Sequence, residues 1–309
     1  MSDENDEGGA PPSLSYPTSF AGLLAWANAH NMPPVRARTR FAQYVALHAI
    51  AGSRVLRGFL VFKGGNALDF VWQPNRSTQD LDFSADLIVA DLGAELGRLR
   101  GLFAAALAGT EREFGVLCRV AGIRQEPPGA DKTFVTYRVQ IAYALPDQDP
   151  LRRRMERDPK YPGAQFIKVE ISINEPICAD ARVDLPGAEG GWYLRVSTRE
   201  DIVAEKLRAL LQQPIRNRTR RQDLLDIAVL LRAGVPLNRA QVAEFLLRKA
   251  AARAVPVSRA AFHVPEIMER ARQDYDALVD TTRNLFVPFD EARDLLYALV
   301  DYLDIPAML

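Results

Sequence analysis

Hydrophobic positions change their rhythm along the chain, and that change predicts its architecture. Residues 36–51 (RARTRFAQYVALHAIA) place Phe41, Val45, Leu47 and Ile50 at helical spacing, predicting an amphipathic helix that Gly52 ends. Residues 58–62 (GFLVF) form a short apolar run that stops at Lys63-Gly64-Gly65, the pattern of a buried strand ending in a tight turn. A short helix over 66–72 follows, and then Asp80-Leu81-Asp82-Phe83 alternates as a strand with one buried face. Residues 89–108 are Ala/Leu-rich and predict a helix, while 116–123 and 133–143 alternate as strands around a Pro-Pro-Gly turn at 127–129. The segment 147–163, rich in Pro, Arg and Asp, has no clear period and is expected to be an irregular loop. Residues 166–173 return to a period of two, with Ile167, Val169, Ile171 and Ile173 on one face and Lys168, Glu170 and Ser172 on the other.

Beyond the Pro-Gly-Ala-Glu-Gly-Gly stretch at 186–191 nearly every segment has helical spacing. Ser197 with Glu200 reads as a capping box opening a helix through about Leu211, whose stripe is Val203, Leu207, Leu210 and Leu211. Further helices are expected over roughly 219–231, closed by Arg232 and Gly234, then 238–254, 266–283 and 289–303. The pattern predicts an α/β protein in three parts: a disordered acidic tail (1–16), a mixed-sheet core (17–190) and a helical C-terminal domain (191–309) that completes a cleft.

Charge refines this picture. The 39 Lys and Arg balance the 39 Asp and Glu, but in opposed blocks. Residues 195–221 are net +5, carrying Arg216, Arg218, Arg220 and Arg221, whereas 262–309 are net −6. A zero total therefore does not exclude a polyanionic partner. Cys118 and Cys178 stand apart, without zinc or redox spacing, and no run is apolar and long enough to span a bilayer. A soluble, cytoplasmic protein is the expectation.

Candidate chemistry lies where the first two strands meet. In an extended strand, side chains two apart share a face, so Asp80 and Asp82 stand together while Leu81 and Phe83 point inward. Two adjacent carboxylates repel, and a divalent cation such as Mg²⁺, which takes one or two carboxylates plus substrate phosphates, relieves that repulsion. Glu170 could supply a third carboxylate, and Gly64 and Gly65 let a phosphate approach the backbone closely. A Gly-Gly turn alone is an ordinary turn, and Asp-x-Asp alone an ordinary strand edge. In this order, together, they point to triphosphate chemistry.

These residues also carry a resemblance. KGGNAL at 63–68 and RSTQDLDFS at 76–84 resemble motifs of the AbiEii/AbiGii-type nucleotidyltransferase toxins of type IV toxin–antitoxin systems, the MenT-like group, with Arg76, Thr78, Asp80 and Asp82 on the second motif. IKVEISIN at 167–174 is similar to the strand bearing the family's third carboxylate, and EDIVAEKLRALLQ (200–212) and RTRRQDLLDIAVLL (218–231) resemble its later motifs. The resemblance implies a nucleotidyltransferase core, with Asp80, Asp82, Lys206 and Asp223 catalytic. Lys63, Gly64, Gly65, Asn66, Arg76 and Lys206 would bind the nucleotide, and Asp80, Asp82 and Glu170 would hold metal. Asn66 replaces the family's usual Ser or Thr, and Gln222 leaves Asp226 beside Asp223 as the alternative acid. Arg216, Arg218, Arg220 and Arg221 suit triphosphate or RNA backbone.

The implied reaction is Mg²⁺-dependent transfer of a nucleoside monophosphate from a nucleoside triphosphate to RNA, expected at the tRNA 3′ end, blocking translation and growth. A cognate antitoxin is implied, and some relatives act in phage defence. Transfer to a small molecule or protein hydroxyl is one alternative. A non-catalytic RNA- or partner-binding module on this scaffold is another. His30, His48 and His263 are scattered, so Asp82 or Glu170, rather than a histidine, is expected to take or orient the acceptor proton.

Overall fold

The segments of alternating hydrophobicity assemble into one seven-stranded mixed sheet. Its strands are β1 (Leu60–Lys63), β2 (Leu81–Ala85), β3 (Leu117–Glu126), β4 (Thr136–Ala144), β5 (Gln165–Ser172), β6 (Asp180–Asp184) and β7 (Tyr193–Ser197), in the spatial order β3-β4-β5-β2-β1-β7-β6. The pairs β2/β5 and β1/β7 are parallel and the others antiparallel. The computed structural model describes residues 16–72, 78–87, 92–129, 132–185, 192–282 and 285–308. The acidic tail before residue 16, Arg76 and the 186–191 stretch therefore lie outside the described residues.

Register explains the burial. Phe62, Phe83, Ile171 and Tyr137 pair directly across four strands, and each is fully buried. This apolar row forces its in-register neighbours Lys63, Asp82, Glu170 and Arg138 onto the opposite face, because successive side chains alternate. The predicted helix at 36–51 spans Pro34–Gly52 and packs against β5 and β7, burying Phe41, Val45, Leu47 and Ile50.

Several expectations shift. Residues 147–163 are not wholly irregular: Asp149–Arg157 is a helix. Its Pro150 occupies the first turn, where no N–H is needed, and only Met155, fully buried, and Leu151, half-buried, pack on the cluster of Leu117, Ala121, Ala142 and Ala144. Two apolar residues one turn apart, set among charged ones, are too few to show a period. Gly58 and Phe59 belong to the helix Arg54–Phe59 rather than to β1. The predicted 66–72 helix starts earlier, as a turn at Gly64–Ala67 that runs into a π-helical segment over Leu68–Trp72. The helix expected over 266–283 breaks into Pro265–Arg272 and a 3₁₀ segment Tyr275–Thr281, with Asp274 between them at φ 51°.

The N-cap of the Arg199–Leu211 helix is Thr198, whose hydroxyl accepts from the Asp201 N–H at 3.2 Å. Ser197 instead ends β7, buried. That strand pairs with β1 and β6, so the sheet continues past residue 190 and the all-helical part begins at Arg199.

Candidate active site

The row Lys63, Asp82, Glu170 and Arg138 forms part of the wall of a cleft of about 1160 Å³ between the sheet and the C-terminal helices. Its charges run plus, minus, minus, plus across four strands. Asp82 and Glu170 are direct neighbours on parallel strands, a repulsive placement unless something cationic sits between or above them. Arg138 holds Glu170 from the far side at 2.8 Å. Burial pushes the Asp82 carboxyl up to about 7; Lys63 and Lys206 oppose this, while Glu170 and Asp80 add to it. At neutral pH this group is poised between its two forms.

The glycine turn is fitted to that carboxylate. Gly64 has φ +76°, and a Cβ there would stand 2.5 Å from Asp82 Oδ2. No side chain fits between the turn and the acid. Gly64, Gly65, Thr78 and Asp80 complete this wall. Asn66, expected to face the nucleotide, is turned inward and fully buried. Its amide donates to the Asp80 carbonyl at 2.5 Å and its Oδ1 accepts from Arg40 at 2.6 Å. Arg40 also reaches Gln43 and Asp69, so Asn66 belongs to a buried polar clamp that fixes the backbone leading into β2. A Ser or Thr hydroxyl is too short for both contacts.

Lys63 points across the sheet. Its ammonium donates to Ser172 Oγ at 3.0 Å and to Glu175 at 2.8 Å. Burial works against its charge, but Glu175, Glu205 and Asp82 outweigh that and hold it above the usual lysine range. Glu175 also pairs with Arg253, from just past the helix Arg239–Ala252. Lys63 and Arg253, aided by Arg208, hold its carboxyl well below the usual range despite burial. Sequence reasoning missed Glu175 and Arg253, because their contact joins positions 78 residues apart.

On the opposite wall Lys206 is almost fully buried. Its ammonium is bound by Asp223 at 2.8 Å and Asp226 at 2.6 Å. Both acids hold the same lysine, but Asp223 lines the cleft whereas Asp226 is fully buried. Among the arginines, Arg216, Arg218 and Arg220 line the cleft. Arg221 turns away to the Gln273 carbonyl at 3.1 Å and to Asp274 at 3.0 Å. His48 is buried against Phe114 and Trp192, and burial lowers its pKa to about 4, marking it as a neutral core group.

Among the described residues no three His, Cys, Asp or Glu side chains converge as a metal cage. Asp80 and Asp82 at an open cleft still match the donor set of a hard cation that completes its shell with phosphate oxygens. Burial, with Glu170 and Asp80 nearby, raises the Asp82 carboxyl, and such a cation would favour its charged form. No helix among the described residues is long and apolar enough to cross a membrane.

The fold resembles MenT4, a nucleotidyltransferase toxin from Mycobacterium tuberculosis H37Rv, with a TM-score of 0.54 at 18% identity over 87% of this chain and 84% of that one. Two Helicobacter pylori structures, JHP933 and a putative nucleotidyltransferase, match at TM-scores of 0.41 and 0.39, with 18% and 16% identity. They cover 83% and 85% of this chain and 86% and 92% of their own. No curated protein matches in sequence. The model of the nucleotidyl transferase AbiEii toxin of type IV toxin–antitoxin systems matches residues 49–295, and the chain belongs to that family of nucleotidyltransferases.

Proposed function

We propose that this nucleotidyltransferase toxin transfers a nucleoside monophosphate to an RNA acceptor, with the tRNA 3′ end as the favoured site, and that it does so with Mg²⁺. Family membership implies a nucleoside triphosphate as donor and a cognate antitoxin. The observation that carries the finer reading is the facing of Asp82 and its charge row against the arginine-lined rim of one cleft. A polyanionic acceptor suits that rim, because Arg216, Arg218 and Arg220 stand where phosphates would pass.

In this reading Asp80 and Asp82 hold the divalent cation, which when bound neutralises charge on the triphosphate and on the departing pyrophosphate. The glycine turn and Lys63 receive phosphate oxygens, and Lys206 steadies the opposite wall through Asp223 and Asp226. Glu170, paired with Arg138 beside Asp82, orients the acceptor hydroxyl or takes its proton. The acceptor oxygen then bonds to the α-phosphorus while the bond to the β-phosphate bridge breaks, releasing pyrophosphate. Positioning and charge neutralisation carry the catalysis.

Incubation with each α-labelled nucleoside triphosphate and total RNA tests this. Label in the tRNA fraction, lost with Asp82→Ala, is expected. Label in protein or small molecules alone would assign a different acceptor.

A further inference from the structure

Most of the side chains lining the cleft are polar or charged. Among the described residues lining it, Phe134 is the single aromatic side chain, half-buried beside Pro127 and Pro128 at the β3–β4 end. The Arg253 guanidinium lies over its ring, 3.8 Å from the centroid. A half-buried ring with a guanidinium over one face makes, with that guanidinium, a flat surface on which a nucleobase stacks irrespective of sequence. Phe134 is also held in place from behind, since the neighbouring Val135 carbonyl accepts from the Ile173 N–H at 2.9 Å.

Arg253 connects this surface to the phosphate end of the cleft. It pairs with Glu175, and Glu175 binds Lys63, the residue that opens the glycine turn. Two ion pairs thus separate the aromatic surface from the turn. We propose that Phe134 and Arg253 form the platform on which the base of the incoming nucleoside triphosphate stacks, with Glu175 fixing that platform relative to Lys63. The proposal rests on the nucleotidyl-transfer reading and adds the residues that position the donor's base. Phe134 touches the base directly; Glu175 is a positioning residue acting through Arg253 and Lys63.

The test is a binding measurement on the full chain. In Phe134→Trp, emission in excess of the wild-type background is titrated with a nucleoside triphosphate, with inorganic tripolyphosphate, and with a short RNA alone. Quenching by the nucleoside triphosphate but not by tripolyphosphate is expected. Phe134→Ala should raise KM for the nucleotide about tenfold, the loss of one stacked base, with Phe134→Trp restoring it. Equal quenching by tripolyphosphate, quenching by RNA but not by nucleotide, or an unchanged KM in a folded Phe134→Ala would overturn the assignment. The titration requires no transfer, so failure of wild-type protein to label RNA would remove the acceptor assignment and leave this result readable.

Discussion

The two walls of the cleft use the same residue types to opposite ends. On the sheet, Lys63 shares its row with the adjacent Asp82 and Glu170, and the Asp82 carboxyl is driven up to about 7. On the helices, Lys206 sits between Asp223 and Asp226, within 2.8 Å of both, with its side chain only 7% exposed. On the sheet wall burial and the neighbouring carboxylates disfavour the charged form of Asp82, whereas on the helix wall two carboxylates hold the Lys206 ammonium directly. Removing charge should therefore be tolerated by the fold on the first wall and damaging to it on the second. Titratable residues in a cleft do not form one functional class; what separates them is whether their partners are already present.

The largest expected effect tests the sheet wall. Asp82→Ala should lower nucleotidyl transfer by at least about a thousandfold, with a melting temperature equal to or above wild type, since a desolvated carboxylate has been removed. A large drop in melting temperature would erase the distinction. Asp226→Ala should do the reverse, costing about 3 to 5 kcal/mol in denaturant unfolding, because it strips a partner from a buried ammonium. Gly64→Ala should cost about 1 to 3 kcal/mol from its positive φ and reduce transfer as well, as the new methyl displaces Asp82.

The pH dependence sharpens the contrast. Mn²⁺ binding, followed calorimetrically, should weaken about tenfold from pH 8 to pH 6 as the Asp82 carboxyl protonates near 7. Without metal the sign for stability is opposite. A carboxyl raised in the folded state binds its proton more tightly there than when unfolded, so its contribution falls as pH rises from about 4 to 7. His48 gives the smallest effect: its pKa is lowered to about 4, the unfolded chain takes up the proton first, and stability should fall as pH drops from about 6.5 toward 4. Urea melts of His48→Gln should flatten that slope.

Much of the sheet was legible because period-two burial is written locally: Ile167, Val169 and Ile171 announce β5 without any partner. The Asp80–Asp82 pair and the glycine turn were legible for the same reason, being short motifs on consecutive elements. The helix Asp149–Arg157 was hidden because two apolar residues, Leu151 and Met155, are too few to set a period. The role of Asn66 was hidden because its partners, Arg40 and the Asp80 carbonyl, come from two other elements. Glu175 was invisible for a further reason. A lone glutamate after a strand reads as solvated until Lys63 and Arg253 are brought to it from both sides. Local periodicity reveals elements, while long-range ion pairs emerge only from topology.

The passage from β7 into the Lys206 helix leaves no slack. Ser197 ends the strand and its carbonyl accepts from Trp72 Nε1 at 2.9 Å, the Thr198 N–H donates to the Ala179 carbonyl at 3.1 Å, and the Thr198 hydroxyl caps the helix one residue on. Between the sheet and the helix Arg199–Leu211 there is thus no joint at this point, only a rivet. These contacts tie the helix that carries Lys206 to the sheet at that end of the cleft. Splitting the molecule at residue 190 would pull an inner strand out of the sheet instead of freeing two domains.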